Sequence, residues 1–325
     1  MTPSGFVLLD KNPGETSFKA LFPLKRVFST KRVGHAGTLD LRASGLIVAA
    51  IGRATRLLPF VEAKDKCYTF RLHLGYETDT LEWDGDVVVQ GEFGIRNSEF
   101  GIDEGVILSE VQRSRRIQGG LTREDLEAVL PQFTGDIDQI PPRYCAVKID
   151  GRRASDWAER GKDFEMKPRR IHIESLKIVG EGGVTEGCSG NCFASFDLEC
   201  VCSKGTYIRS LGRDLAHAMG TFGCVSQIRR HRIGNITLDN AVKGENLTAE
   251  NLVPVDKVLD YPVLRLDDTQ MAIIRKGNWL PWKTPVEGVG PEGHVFVANG
   301  VGEVLSLCRF EPGRICPKYF LGGDD

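Results

Sequence analysis

No stretch of this 325-residue chain is apolar for the roughly 20 residues that crossing a bilayer requires, so no membrane contact is expected. Its start, Met1-Thr2-Pro3-Ser4-Gly5, has no charged leader region, and Phe6-Val7-Leu8-Leu9 is too short for a signal core. The chain lacks the G-x-x-x-x-G-K-[ST] loop that cradles nucleotide phosphates, and no nucleotide cofactor is expected. Its six histidines are scattered, with no pair at metal-binding spacing. The nine cysteines are an odd number and widely spread, which predicts a reduced, cytoplasmic protein rather than a disulfide scaffold. Cys188, Cys192, Cys200 and Cys202 invite comparison with a zinc site. Their spacing is not the paired C-x2-C kind, however, and three of them alternate on an apolar strand face, where cysteine is a small hydrophobe. No metal is expected.

With 41% hydrophobic and 26% charged residues the composition is that of a globular protein, and the length suits one large and one small domain. The net charge of −2 gives no hint of nucleic acid, but its distribution does. Phe18 to Arg32 holds Lys19, Lys25, Arg26, Lys31 and Arg32 with no acid, and Arg143–Arg170 and Lys204–Arg232 are basic on balance. The acidic stretch Glu77–Asp138 cancels them. Three basic segments on a neutral chain predict a localised positive face for phosphates; solvated surface charge is the alternative.

Phe6–Leu9 reads as a strand ended by Asn12-Pro13-Gly14. Thr16-Ser17 caps a helix to about Phe28, which Pro23 delays or kinks. A strand at Leu46–Ile51 and a helix at Ala54–Glu62 follow. Tyr68, Phe70, Leu72 and Leu74 alternate with Thr69, Arg71 and His73, the period of a strand with Tyr68 on its apolar face. Residues 91–120 read as an inserted loop. Thr122 and Asp125 form a capping box. Pro141–Lys148 reads as a turn and strand, Ala154–Ala158 as helix, Cys192–Cys202 as a long strand, and Ile208, Leu211, Leu215 and Met219 as one helix face. Near Tyr261 the texture changes to short strands around one helix at Thr269–Arg275, with strands at His294–Ala298 and Val304–Phe310. This predicts a small β-barrel-like C-terminal domain.

Four places carry groups able to do chemistry. Gly34-His35-Ala36-Gly37-Thr38-Leu39-Asp40, followed by Gly45 and an apolar run, delivers Asp40 to a fixed place beside a buried strand. Asp40 is either a structural turn aspartate or a chemical group. Arg209, in the first turn of a helix, is unfavourable for the helix dipole and calls for a carboxylate or phosphate partner. Tyr68 is either a core tyrosine or a ring that stacks on a planar ligand. Arg229, Arg230 and Arg232 suit phosphate contact or a solvated run.

In one order, these pieces resemble the TruB family of tRNA pseudouridine synthases. Leu8-Leu9-Asp10-Lys11 with Gly14 and Thr16-Ser17 resembles its opening motif, and Gly34–Asp40 its catalytic motif. Lys66-Cys67-Tyr68 resembles its K-x-Y strand, followed by Thr78-Asp79-Thr80 and Asp84-Gly85. Gln139-Ile140-Pro141-Pro142 through Lys148 and Gly151, Ser203–Arg209 and Ile228-Arg229-Arg230 complete the series, across residues 5–256. Asn12 stands where the family has proline, Leu41 replaces the proline after the catalytic aspartate, Ile228 stands where leucine is frequent, and the 91–120 excursion is long.

The resemblance implies an α+β pseudouridine synthase fold, with a long mixed, mostly antiparallel sheet and flanking helices over residues 1–256. It also implies a PUA-like RNA-binding domain over 261–325. The implied enzyme is an isomerase that converts uridine 55 in the T arm of tRNA to pseudouridine, with no cofactor. Asp40, Tyr68 and Arg209 are then the catalytic residues; His35, Lys11, Lys148, Tyr207, Ile228, Arg229 and Arg230 bind substrate. The expected protein is a cytoplasmic monomer with no obligatory protein partner. Two alternatives are a non-catalytic tRNA-binding or folding protein on the same scaffold, and an RNA-guided rRNA synthase.

Overall fold

The computed structural model describes residues 3–90, 121–180, 183–186 and 192–322. The chain divides into two compact units, Met1–Lys64 together with Arg232–Asp325, and Asp65–His231.

The first unit opens with β1 (Gly5–Lys11), β2 (Val33–Ala36) and β3 (Ser44–Ile51). β3 reads S-G-L-I-V-A-A-I and is buried at every position after Ser44. A continuous apolar run of that length is what a strand covered on both faces needs. β1 pairs antiparallel with β3 from Gly5↔Ile51 to Lys11↔Gly45, and β2 pairs with it from Val33↔Ile51 to Ala36↔Val48. The helix expected after Thr16-Ser17 forms in two pieces, a 3-10 turn Lys19–Leu21 and the helix Phe22–Val27. Pro23 sits in the first turn of the second piece, where its missing N–H costs nothing. The segment expected as one helix at Ala54–Glu62 is likewise a 3-10 stretch Gly52–Leu57 and a helix Leu58–Glu62 opened by Pro59.

The second unit holds β4 (Lys66–Leu74), β5 (Tyr76–Thr78), β6 (Val87–Gln90), β7 (Gly135–Gln139), β8 (Lys148–Ile149), β9 (Arg152–Arg153), β10 (Arg169–Ile178), β11 (Gly183–Glu186), β12 (Cys192–Cys202) and β13 (Gly223–Ile233). Its sheet runs β13-β4-β12-β10-β7, antiparallel from β4 to β7. β5–β6 and β8–β9 are separate hairpins. The helix Ile208–Ala218 buries Ile208, Leu211 and Leu215. A Cβ at Gly212 would come within 2.2 Å of Val225, so only glycine lets this helix lie so close to β13. The capping box of Thr122 and Asp125 opens the helix Arg123–Val129 as expected.

Three further features differ from the sequence expectation. The strand expected at the end of Pro141–Lys148 is only the two residues of β8. β10 and β13 are long strands that the charged residues concealed. Arg230 in β13 is 1% exposed, which removes the solvated-run reading of that segment. The excursion at 91–120 and Cys188 lie outside the described residues.

The chain returns to the first unit with β14 (Ile236–Thr237), β15 (Val263–Arg265), β16 (Leu280–Pro281), β17 (His294–Ala298), β18 (Val304–Glu311) and β19 (Arg314–Phe320). The last five form a half-barrel sheet in the order β15-β17-β18-β19-β16, around a helix Asp268–Arg275. β17 is buried at all five positions. Its Phe296 joins Phe6, Leu8, Val48 and Leu57 in one core, while Val295 and Val297 join Met271, Ile274 and Ile315 in another. The run Gly288-Val289-Gly290-Pro291-Glu292-Gly293 spells G-x-G-x-x-G but leads from turns into β17, not from a strand into a helix, so it builds no phosphate cradle. No helix among the described residues is long and apolar enough to cross a membrane.

His73 of β4 is 2% exposed, bonded through Nε2 to Ser226 Oγ of β13 at 2.7 Å and stacked beside Trp83. Burial, helped by the charge of Arg71 and opposed by Asp197, lowers its pKa from 6.5 to about 4. The fold therefore holds the ring neutral, whereas the unfolded chain takes up a proton near pH 6.5. Its contribution to stability is full above that pH and is lost as the pH falls toward 4, at about 3 kcal/mol. His73→Gln, which keeps a partner for Ser226 but does not titrate, should flatten the fall in urea stability between pH 7 and 4. Parallel curves for the two proteins would show that His73 is not the group responsible.

Candidate active site

The Asp40 loop, residues 37–43, joins β2 to β3 within the first unit. Gly37 turns the chain with φ of 76°, a conformation that costs any residue with a Cβ. Both sides of Asp40 are then pinned by buried side chains. Ser17 is 3% exposed; its Oγ accepts from the Leu39 N–H at 2.9 Å and donates to the Leu39 carbonyl at 3.1 Å. Lys11 is 1% exposed and donates to the carbonyls of Leu41 at 3.2 Å, Ala43 at 2.5 Å and Asn12 at 2.9 Å. The Leu41 carbonyl also accepts from Gly14 N–H, and the Asp40 carbonyl from Ala43 N–H. These bonds use main-chain carbonyls, so leucine in place of proline at position 41 loses none of them. Asn12 has its own use. Its Oδ1 accepts from Lys243 Nζ at 2.6 Å, and the same ammonium pairs with Asp10 at 2.9 Å. Asp40 itself is half-buried, as is His35, which lies opposite Ala49 in the β2–β3 ladder.

The second unit gathers the other residues. Tyr68 is half-buried on β4, opposite Cys200 of β12. Tyr207 precedes the helix Ile208–Ala218, and its main chain is gripped by the side chain of Gln139. Gln139 Nε2 donates to the Tyr207 carbonyl at 3.1 Å, and Oε1 accepts the Tyr207 N–H at 2.8 Å. Gln139 is 1% exposed. The sequence carries no signal for this grip beyond placing Gln139 at the head of Gln139-Ile140-Pro141-Pro142. Arg209 is buried and donates to the carbonyls of Thr80 and Tyr144, each at 2.9 Å. It thereby ties two separate loops to the helix. Burial, with a hydrogen bond to Asp79 as a further cause, raises the pKa of the Tyr144 hydroxyl. Ile228 and Arg230 are buried and Arg229 is half-buried on β13, just after Gln227, whose φ of 54° is rare for a residue with a side chain. Lys148 stands apart, exposed on the β8–β9 hairpin with Arg152 and Arg153. The signal that sequence reasoning lacked for Ser17, Lys11 and Gln139 as clamps is contact between distant positions.

Ser17→Ala leaves the Leu39 N–H and carbonyl inside the fold without their partner, and should lower stability by about 1–3 kcal/mol in urea unfolding. Lys11→Met should cost at least as much. A change of only a few tenths of a kcal/mol for both would mean that the loop is not held by these side chains.

The family described as TruB family pseudouridylate synthase (N terminal domain) matches residues 25–100 and 103–208. Among curated relatives, "tRNA pseudouridine synthase B" of Caulobacter sp. is 36% identical, over 97% of this chain and 94% of its own. The protein of that name from Bradyrhizobium diazoefficiens is 35% identical, over 97% and 84%. That from Borrelia garinii is 32% identical, over 85% and 86%. Among solved structures, a chain of an H/ACA RNP bound to a substrate RNA containing 2′-deoxyuridine matches with a TM-score of 0.64 at 17% identity, over 98% of this chain and 85% of that one. A chain of an archaeal box H/ACA sRNP complex matches with a TM-score of 0.62 at 19% identity, over 97% and 84%. At such identities the structural likeness speaks for the fold alone. The family match and the relatives carry the assignment: the chain belongs to the TruB family of pseudouridylate synthases.

Proposed function

We propose that this protein isomerises uridine 55 in the T arm of tRNA to pseudouridine, with Asp40 as the reacting carboxylate. The observation that carries the reading is the pair of clamps on the Asp40 loop. Ser17 and Lys11 fix the main chain on both sides of one half-buried carboxylate, which is how a reacting group is preorganised. The names of the relatives support tRNA as the substrate.

The reaction breaks the C1′–N1 bond of the nucleoside, turns the uracil and forms C1′–C5. The hydrogen on C5 leaves and N1 gains one, so no atom is gained or lost and the balance calls for no redox partner. The base must first leave its stack, at a cost of roughly a few kcal/mol. His35 fills the space it vacates. Asp40 attacks C1′ or stabilises the sugar once the bond has broken. Tyr68 stacks on the uracil and takes the proton from C5. Arg209 pairs with Asp40 and orients it. Ile228 forms the apolar floor. Lys11 supports the pocket through its carbonyl bonds, and Tyr207 lines it from the start of the helix. Arg229 and Lys148 serve the phosphates, so affinity should fall as salt rises. Arg230, 1% exposed, supports the strand that carries Arg229 from inside the fold and meets no phosphate itself. Residues 1–256 act as the catalytic domain and 261–325 as a PUA-like RNA-binding domain. The protein works as a cytoplasmic monomer without an obligatory protein partner. The relatives' shared name favours this over the RNA-guided alternative, and the TruB assignment favours it over a non-catalytic binder.

Asp40→Asn should abolish pseudouridine formation in a tRNA transcript while tRNA binding survives; retained turnover would sink the mechanism. Tyr68→Phe should keep affinity and slow the chemical step by about 10²-fold or more, the usual scale of a lost general base. An unchanged single-turnover rate would leave Tyr68 as a platform only.

A further inference from the structure

The segment after Ser17 divides its residues sharply. Ala20, Leu21, Leu24 and Phe28 are buried. On the outer side Phe18 is 59% exposed and Phe22 50% exposed, with Lys25 next in the same row. The spacing of four and then three residues aligns them along one helical face. The two rings meet edge to face, with centroids 5.5 Å apart and planes at 81°. Lys25 Nζ lies 4.8 Å from the Phe18 centroid and 5.0 Å from that of Phe22. Neither ring belongs to the buried core, and an edge-to-face pair of this kind contributes only about 0.5–1.5 kcal/mol to the fold.

Along the segment itself the charge is of one sign, although Glu15 and Glu245 line the pocket beside Lys19 and Pro23. From Phe18 to Arg32 there are five basic residues and no acid. Exposed rings within an all-cationic segment match a strand that offers flat bases and phosphates together. They match neither an acidic peptide, which has no bases to stack, nor an apolar protein surface, which would leave the cations unpaired. Position narrows the partner further. Phe18 follows Ser17 directly, and Ser17 is the residue whose hydroxyl grips Leu39 beside Asp40. Thr16, on the other side of Ser17, accepts the Lys19 N–H at 3.1 Å and fixes the turn. The platform is therefore built on the same short stretch that holds the reacting loop.

We propose that Phe18, Phe22 and Lys25 form a stacking platform for an unpaired nucleotide of the substrate RNA adjacent to the uridine held at Asp40. Phe18, the more exposed ring and the one next to Ser17, takes the base. Phe22 braces it edge-on, and Lys25, positioned by both rings, meets the phosphate. The proposal rests on the pseudouridine synthase reading of the Asp40 loop for the identity of the strand, and on the geometry of residues 16–25 for the rest.

The test uses a T-arm hairpin RNA carrying the target uridine, with 2-aminopurine at the unpaired positions flanking it. The full-length protein is compared with Phe18→Leu, with the Phe18→Ala, Phe22→Ala pair, and with Lys25→Gln. Loss of stacking should raise the hairpin Kd roughly fivefold or more and abolish 2-aminopurine quenching at one flanking position, with kcat at saturating RNA unchanged. Lys25→Gln should lower the slope of log Kd against log salt by about one. Circular dichroism should match the wild type and melting should stay close to it, since both rings are at least half exposed. A Kd within twofold of wild type for the leucine variant and the double variant would overturn the proposal. So would self-association of the wild type that the variants lose, which would make the rings a protein contact. Binding without isomerisation by the wild type would overturn the reading of Asp40 instead, while the affinities still decide the platform.

Discussion

A buried ammonium cannot be left without acceptors, and the Asp40 loop is arranged around that requirement. Lys11 ends β1 opposite Gly45 of β3, so the strand ladder fixes where its side chain starts. Its Nζ is satisfied by three main-chain carbonyls, two of which belong to Leu41 and Ala43 of the loop. Leaving such a charge uncompensated costs several kcal/mol. The loop therefore cannot drift from its position without stranding the lysine. Ser17 supplies the matching constraint on the other side, through both polar atoms of Leu39. Between these two holds, Asp40 has little freedom to move along the chain. The strand register thus becomes, through one buried lysine, the position of a carboxylate.

The second unit uses the same kind of device. Gln139, on the strand next to β10, satisfies the N–H and the carbonyl of Tyr207 at the entry to a helix. Arg209, in the first turn of that helix, binds the carbonyls of Thr80 and Tyr144. Bonds from a charged donor contribute roughly 1.5–3 kcal/mol each. In both units the groups expected to act on substrate sit on or beside main chain that buried polar side chains hold still. An arrangement of this kind lowers the cost of orienting groups at the moment of reaction.

The sequence made some of this readable and concealed the rest for physical reasons. Alternation exposed β4 and β12, and the capping box exposed the helix Arg123–Val129. The sheet of short strands after Tyr261 was readable from texture. β10 and β13 were not, because R-R-I-H-I-E-S-L-K-I and Q-I-R-R-H-R-I interleave charge with apolar residues and read as surface. Burial of Arg230 depends on its neighbours in the sheet, which a one-dimensional pattern does not contain. Asp40 was readable as a carboxylate on a glycine-bounded loop, and the order of motifs named its family. Its support was not readable, since Ser17 and Leu39 are 22 positions apart and Lys11 and Ala43 are 32 apart. Leucine in place of proline at position 41 keeps these bonds, because the group used there is the Leu41 carbonyl, which accepts from Lys11 and from the Gly14 N–H.

The change of texture at Tyr261 marks a change in the kind of structure, and it does not mark where the core ends. Phe296, on β17, packs in the same core as Phe6 and Leu8 of β1 and Val48 of β3. Phe60, from the helix Leu58–Glu62, meets Tyr261, His294 and Tyr319 edge-on, with Lys318 over its ring. The other face of β17 carries Val295 and Val297 into the half-barrel's own core. One strand therefore supplies two cores. Removing the half-barrel would uncover the apolar side of β1 and β3, and β1 is the strand that carries Lys11. The C-terminal sheet thus bears on the Asp40 loop by a mechanical route, through the strand that positions its clamp, whatever contact it makes with RNA.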